Sequence, residues 1–202
     1  MNEIRIRTAK TEDAAELLEI YAPYVTGTAV TYEYTVPSQE EFASRIRHTM
    51  EKYPYLVAEQ NGEILGYAYA GAFHPRAAYA WDVEMSIYIK KDRKRSGIGK
   101  VLYETLEKIL AEQNILNVYA CIACPEKEDE YLTKDSIRFH ERMGYRIVGE
   151  FRECAYKFGR WYGMVWMEKR IGKRTADPAE VKSFDKSYQV ESGIWKKKLE
   201  KN

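Results

Sequence analysis

A short apolar strand that runs into a basic, glycine-containing turn and then into a long amphipathic helix limits what this chain can fold into more than any other feature. Val83 to Ile89 reads as the strand and Lys94-Arg95-Ser96-Gly97-Ile98-Gly99-Lys100 as the turn. Leu102, Leu106, Ile109 and Leu110 then recur at helical spacing. A helix that begins this way leaves its first backbone amides without partners inside the helix, and they point at whatever lies in front of the turn. Both glycines let the backbone approach phosphate oxygens with no Cβ in the way, while Arg93, Lys94, Arg95 and Lys100 supply positive charge. The turn therefore suits a pyrophosphate. It is not a Walker loop, because G-x-x-x-x-G-K-[ST] is absent, nor a dinucleotide fingerprint, because the third glycine of G-x-G-x-x-G would stand where Leu102 does. A glycine pair by itself is more often an ordinary basic turn, so the surroundings decide.

Those surroundings alternate strand and helix. Ile4, Ile6 and Thr8 alternate with charged neighbours, and Ala14, Leu17, Leu18 and Tyr21 follow Thr11 at helical spacing. Ser38 and Glu41 form an S-x-x-E capping box ahead of a second helix with Phe42, Ile46 and Met50 on one face, ending near Lys52. In YLVAEQNGEILGYAYAG, Asn61-Gly62 can take the positive φ of a tight hairpin turn between two strands. A strand is expected at Leu116 to Ile122, a helix from Ser136 to Met143 stopped by Gly144, and two last strands, Tyr145 to Tyr156 and Trp161 to Lys169, around Phe158-Gly159. The charged stretch PEKEDEYLTKD suits a solvated loop or short surface helix rather than buried structure. Residues 1–170 thus read as one α/β (α+β) domain. Residues 171–202, polar and closing on Lys196, Lys197 and Lys198, read as a C-terminal extension, with Tyr188 and Trp195 as its docking candidates.

With 32 Lys and Arg against 31 acidic residues, no global field gathers nucleic acid or anionic membrane, so any anion site is local. No segment approaches the roughly 20 apolar residues of a membrane span, and no signal peptide opens the chain. Three cysteines cannot all pair, and Cys121-x-x-Cys124 ends a strand without a second pair or nearby histidine, so no metal site is expected. A soluble protein of a reducing, cytoplasmic setting fits these facts.

The order of elements around the basic G-x-G turn resembles the GNAT superfamily, whose pyrophosphate motif is Q/R-x-x-G-x-G/A; Lys94 holds the first position and keeps the charge. More specifically, YPYLVAEQNGEILGYAYAGAF, AYAWDVEMSIYI, SIRFHERMGY and YKFGRWYGMVWM are similar to stretches of the phosphinothricin and methionine-sulfoximine acetyltransferases, over roughly residues 3 to 170. The resemblance implies acetyl-CoA as cosubstrate, a homodimer, and a mixed, twisted central sheet of about seven strands flanked by helices. Two neighbouring parallel strands would splay apart to admit the pantetheine arm along Met85, Ser86, Ile87, Tyr88 and Ile89.

Acetyl transfer to an amine needs a group that takes a proton from the nitrogen. Glu84, in Asp82-Val83-Glu84-Met85-Ser86, stands where the resembling enzymes carry their proposed general base, and burial among strand residues would raise its pKa; Asp82 could assist. A strand amide at Met85 or its neighbour would meet the developing oxyanion. His140 occupies the place at which many superfamily members have a tyrosine that protonates the departing thiolate, and phosphinothricin-type enzymes are similar in having histidine there. Thr133 stands where an asparagine commonly touches pantetheine, with Ser136 beside the same arm. For an acceptor with anionic groups, Arg76 fits the family pattern, His74 replaces a second arginine, and Tyr32, Tyr79 and Trp161 could wall the pocket. The expected acceptor is a small amino-acid-like amine. A peptide acceptor, or acyl-CoA binding without catalysis, is the alternative.

Overall fold

In the computed structural model, which describes residues 4–185, seven strands form one sheet in the order β1-β2-β3-β4-β5-β7-β6. The strands are β1 (Arg5–Thr8), β2 (Tyr55–Gln60), β3 (Glu63–Ala72), β4 (Asp82–Ile89), β5 (Asn117–Cys124), β6 (Arg146–Lys157) and β7 (Arg160–Arg170). The helices are α1 (Ala14–Gly27), α2 (Gln39–Thr49), α3 (Ile98–Glu112) and α4 (Asp135–Arg142). All neighbouring pairs are antiparallel except β4 and β5. That one parallel pair requires a crossover, which α3 supplies.

Strand alternation sends side chains to two faces with separate cores. On one face Val83 and Met85 of β4 and Val118, Ala120 and Ile122 of β5 pack with Ile98, Leu102, Tyr103, Leu106 and Leu110 of α3 and Ile137 of α4. On the other, Leu17, Ile20, Tyr21 and Tyr24 of α1 and Phe42 and Ile46 of α2 cover Tyr55, Val57, Ile64 and Tyr67, with Tyr69 and Tyr88 against the same cluster. Helices α1 and α2 leave the β5-β7-β6 half of that second face uncovered.

Local chemistry explains most of the boundaries. Asn61 and Gly62 take φ of 53° and 81°, and Phe158 and Gly159 take 52° and 74°, so both hairpins close through two left-handed residues. Ser38 caps α2 by accepting from the Glu41 amide at 3.1 Å, and the helix ends at Thr49, three residues before the expected Lys52. Gly144 leaves α4 with φ 88°.

Two expectations are corrected. The 125–134 segment carries no helix and is more than a solvated loop: Leu132 is buried with Ala29, Ala123 and Tyr162, Ala29 donates to the Tyr131 carbonyl, and Asp129 accepts from Arg160 and Tyr162. The apolar signal was only Tyr131 and Leu132 among charges, too short for periodicity to reveal. The extension also docks earlier than expected. Phe184 is buried in the α3-side core, its amide bonds the Lys52 carbonyl, and Gln113 binds the carbonyls of Lys52 and Lys182 through Nε2. The Trp81 indole donates to the Ala179 carbonyl. Tyr188 and Trp195 lie outside the described residues.

Candidate active site

The site is a break in the sheet. The Asp82 carbonyl accepts from Phe73 on the β3 side, so alternation turns the backbone polar groups of Val83, Met85, Ile87 and Ile89 toward β5. The parallel ladder pairs only Asp82 with Asn117, Val83 with Val118 and Glu84 with Tyr119. Beyond that point β4 and β5 part, and the Met85 carbonyl and Ile87 amide have no strand partner. A slot of about 60 Å³ opens there, lined by Met85, Ser86, Ile87 and Tyr88 on one side and Ala120, Cys121, Ile122 and Ala123 on the other, with Val30, Tyr103, Ser136 and His140 around it. Tyr24 holds its outer end by donating to the Ile89 carbonyl at 2.5 Å.

The basic turn stands at the mouth. Gly97 takes φ 90°, a conformation L side chains rarely adopt, and Arg95 takes 61°. The first amide bonded inside α3 is that of Val101, to the Gly97 carbonyl, so those of Ile98, Gly99 and Lys100 are the open donors of the helix start. Gly99 packs closely: a Cβ there would sit 3.3 Å from the Phe139 ring and 3.4 Å from Ile87, so those side chains would have to shift by a few tenths of an ångström. Lys94 lies 5.0 Å over the Tyr24 ring, and burial holds its ammonium below the ordinary lysine range. Ser96 bonds the Arg93 carbonyl at 2.6 Å and braces the turn.

The two faces of the sheet separate the chemistry. Glu84, Ser86 and Tyr88 project to the α1/α2 face, Met85 and Ile87 to the α3/α4 face. Glu84 is the last residue of β4 paired with β5; desolvation raises its carboxyl above the ordinary range. Asp82 is committed elsewhere, accepting from Asn117 Nδ2 at 2.6 Å and so pinning the paired end of the two strands.

On the opposite face, His140 is almost fully buried. Its Nδ1 lies 2.8 Å from the Ser136 carbonyl and its Nε2 3.0 Å from the Tyr103 hydroxyl. A carbonyl only accepts, so Nδ1 carries the proton and Nε2 is the acceptor. Burial pulls the imidazole down to about 4, so the ring is neutral at pH 7. Tyr103, a slot residue 3.4 Å from the Met85 carbonyl, was invisible as a functional residue in the sequence, where its spacing reads only as α3 core.

Not every expected contact gathers here. Thr133 is exposed, outside the slot lining, with Oγ1 near the Asp135 amide at 3.4 Å. Trp161 is 60% exposed and packs at a tilt against Tyr156 at the β6–β7 hairpin. Tyr32 is half-buried and its hydroxyl is taken by the Gly163 carbonyl. His74 and Arg76 are both exposed on the β3–β4 loop; His74 packs on Phe73 and Tyr79, and Phe73 stacks on Tyr119 at 4.3 Å, the β5 partner of Glu84. Lys157 was missed: it is buried, donating to the Thr28 and Thr31 carbonyls at 2.9 and 2.7 Å, and so ties the α1–α2 loop to β6. A wider cleft of about 340 Å³ between Lys10, Arg47 and Met50 lies outside this region.

An open strand pair, a glycine turn at a helix start and a half-buried carboxylate meet at this site. Residues 6–166 match the acetyltransferase (GNAT) domain, and the chain belongs to the GNAT acetyltransferases. It is an acetyl-CoA-dependent acyltransferase. Among its relatives, phosphinothricin N-acetyltransferase of Streptomyces coelicolor is 33% identical over 84% of this chain and 97% of its own length. The L-methionine sulfoximine/L-methionine sulfone acetyltransferase of Salmonella typhimurium is 28% identical over 86% and 98%. The crystal structure of a phosphinothricin acetyltransferase from Sinorhizobium meliloti in complex with acetyl-CoA superposes with a TM-score of 0.80 at 32% identity, covering 91% of this chain and 97% of that one.

Proposed function

We propose that the chain transfers acetyl from acetyl-CoA to the amine of a small amino-acid-like acceptor of the phosphinothricin or methionine sulfoximine/sulfone type, by direct attack with Glu84 as general base. The observation that carries this reading is the placement of Glu84: half-buried, without an ion pair among the described contacts, and at the point where β4 and β5 separate. The pyrophosphate would meet the amides of residues 98–100 with Lys94, Arg95 and Lys100, and the pantetheine arm would run between Met85–Ile89 and Ala120–Ala123, with Ser136 beside it. The acceptor would approach from the α1/α2 face, where Arg76, His74, Tyr79 and Tyr32 border the open half of the sheet.

The acceptor ammonium gives one proton to Glu84, the nitrogen lone pair forms the C–N bond, and the Ile87 amide, the first strand donor beyond the ladder, faces the oxyanion. The C–S bond then breaks and the thiolate takes a proton. The neutral imidazole of His140 holds its only N–H on Ser136, so it would orient the Tyr103 hydroxyl through Nε2; burial holds that phenol well above its ordinary range, so it would give its proton only as the thiolate forms beside it. Glu84 releases its first proton to solvent and takes the second nitrogen proton as the intermediate collapses, and Tyr103 recovers its hydroxyl proton from solvent, so the sum is one proton on CoA and one released.

We further propose a homodimer in a reducing, cytoplasmic setting. Strand β6 is a sheet edge with Ile147, Val148, Phe151 and Tyr156 exposed beside Trp161, an apolar edge of the kind a second chain covers. Incubation with acetyl-CoA and a panel of phosphinothricin, methionine sulfoximine, methionine sulfone, methionine and a peptide, read by product mass, tests the acceptor assignment. Acetylation of the sulfoximine-type compounds above the peptide is expected; a preference for the peptide would overturn it.

A further inference from the structure

Strand β4 ends on a bond that belongs to neither neighbouring strand. Its register with β3 pairs Tyr88 with Tyr67 and Ile89 with Gly66, and Lys90 donates to the Leu65 carbonyl. Alternation therefore turns the polar groups of Ile87 and Ile89 away from β3 and into the gap that β5 leaves. In that gap the Tyr24 hydroxyl of α1 donates to the Ile89 carbonyl at 2.5 Å. Tyr24 is buried, and its ring meets Tyr88 edge-on at 5.3 Å. Burial pushes the phenol up to about 12, so at neutral pH it keeps the proton it donates.

The same ring carries charge. Lys94 Nζ stands 5.0 Å and Lys91 Nζ 6.0 Å from its centroid. Both lysines are exposed as residues, and a long exposed side chain samples many rotamers; the aromatic face favours those that keep the ammonium over it. Tyr24 thus joins the last carbonyl of the open strand to the cations beside the 94–100 turn. A ligand arm lying along β4 as a strand would can pair only with groups left open. Ile87 offers its amide and carbonyl and Ile89 its amide, but the Ile89 carbonyl is taken.

We propose that Tyr24 is a positioning residue for acetyl-CoA: its hydroxyl ends the pairing of the pantetheine arm with β4 at Ile89, and its ring holds Lys94 where the pyrophosphate arrives. The inference rests on the placement of arm and pyrophosphate proposed above and adds what fixes the distance between them. Without the hydroxyl, the freed carbonyl competes for the N–H groups of the arm in a second register. Tyr24 lies outside the slot lining, so it acts on cosubstrate binding and not on the chemical step.

Dissociation constants measured without acceptor in wild type, Tyr24→Phe and Tyr24→Leu test this. Acetyl-CoA is titrated by calorimetry, and pantetheine, which has the arm without the pyrophosphate, by competition with acetyl-CoA. Tyr24→Phe removes the hydroxyl and keeps the ring, so both ligands should weaken by about three- to tenfold. Tyr24→Leu removes the ring as well; acetyl-CoA should weaken by about threefold more, while pantetheine binds as it does to Tyr24→Phe. Initial rates with methionine sulfone at saturating acetyl-CoA should keep kcat and the acceptor KM of Tyr24→Phe within about threefold of wild type. Wild-type affinity for both ligands in Tyr24→Phe, or a loss confined to acetyl-CoA, would take the hydroxyl out of the path of the arm. Equal acetyl-CoA affinity in Tyr24→Leu and Tyr24→Phe would leave the ring without a role, and a fall in kcat with a rise in the acceptor KM would mean that Tyr24 only holds the fold. Any of these overturns the proposal. Tyr24→Phe keeps the ring in the core, so the test of the hydroxyl stands should Tyr24→Leu melt early. Failure of the pyrophosphate placement appears separately, as unchanged acetyl-CoA affinity in Lys94→Met.

Discussion

At the scale of single residues, protonation states decide what each group can do. Cys121 lines the slot and is its one thiol; the residue is exposed overall, but desolvation at the sulfur, then the nearby Glu84 charge, pushes it up to about 12, so it stays a thiol at pH 8. An acetyl-cysteine intermediate is therefore not expected. Initial-rate patterns should intersect rather than run parallel, and Cys121→Ala should keep kcat within about threefold, since no covalent step passes through it; parallel lines with an acetylated Cys121 in the mass spectrum would contradict this. The raised pKa of Glu84 also has a stability sign. A carboxyl whose folded pKa lies above its unfolded value holds its proton more tightly when folded, so its contribution falls as pH rises through that interval. Glu84→Gln should melt higher than wild type at pH 8, with a smaller difference at pH 4, by differential scanning calorimetry. Glu84 could be singled out in the sequence because its position in the strand and the family stretch around it coincide; its role as the base is the proposal made above. Tyr103 and Lys157 could not be, because a tyrosine at core spacing and a lysine in a strand acquire meaning only from partners 37 and 126 residues away.

At the scale of elements, the α3 entry turn and the docked tail make opposite expectations. Gly97 needs φ 90°, which costs a β-branched residue about 1–3 kcal/mol and misplaces the open amides. Gly97→Val should raise the acetyl-CoA KM far more than the acceptor KM, measured by varying each substrate at saturation of the other. Phe184 lies in the α3-side core but outside the slot, so Phe184→Ala should lose about 3–5 kcal/mol in urea unfolding while the surviving folded protein keeps its KM values. The hairpin turns and the α2 cap were readable because they depend on adjacent residues with special φ or capping oxygens. The fixing of the 125–134 segment was not readable, since Asp129, Arg160 and Tyr162 meet only after β5 and β7 have paired.

At the scale of the whole molecule, the sheet is both scaffold and divider. Its α3/α4 face carries Tyr103 and His140, its α1/α2 face carries Glu84, and the thioester would sit in the break between them. Seven strands and the crossover could be anticipated from alternating elements and the glycine turn; the break near Met85 was anticipated only through the family resemblance, because nothing in the residues of β5 tells that its ladder with β4 stops at Tyr119. The exposed β6 edge gives the assembly expectation. Phe151→Asp should convert a dimer to a monomer in sedimentation velocity, and a wild-type monomer at micromolar concentration would contradict the dimer.

The most direct test of the central claim is kcat/KM against pH, read by thiol release with acetyl-CoA and methionine sulfone, in wild type and Glu84→Gln. The account expects a wild-type acid limb displaced above the ordinary carboxylate range, and in Glu84→Gln a loss on the order of 10²–10⁴-fold with that limb gone. A Glu84→Gln profile that keeps both the rate and the limb of wild type would contradict it.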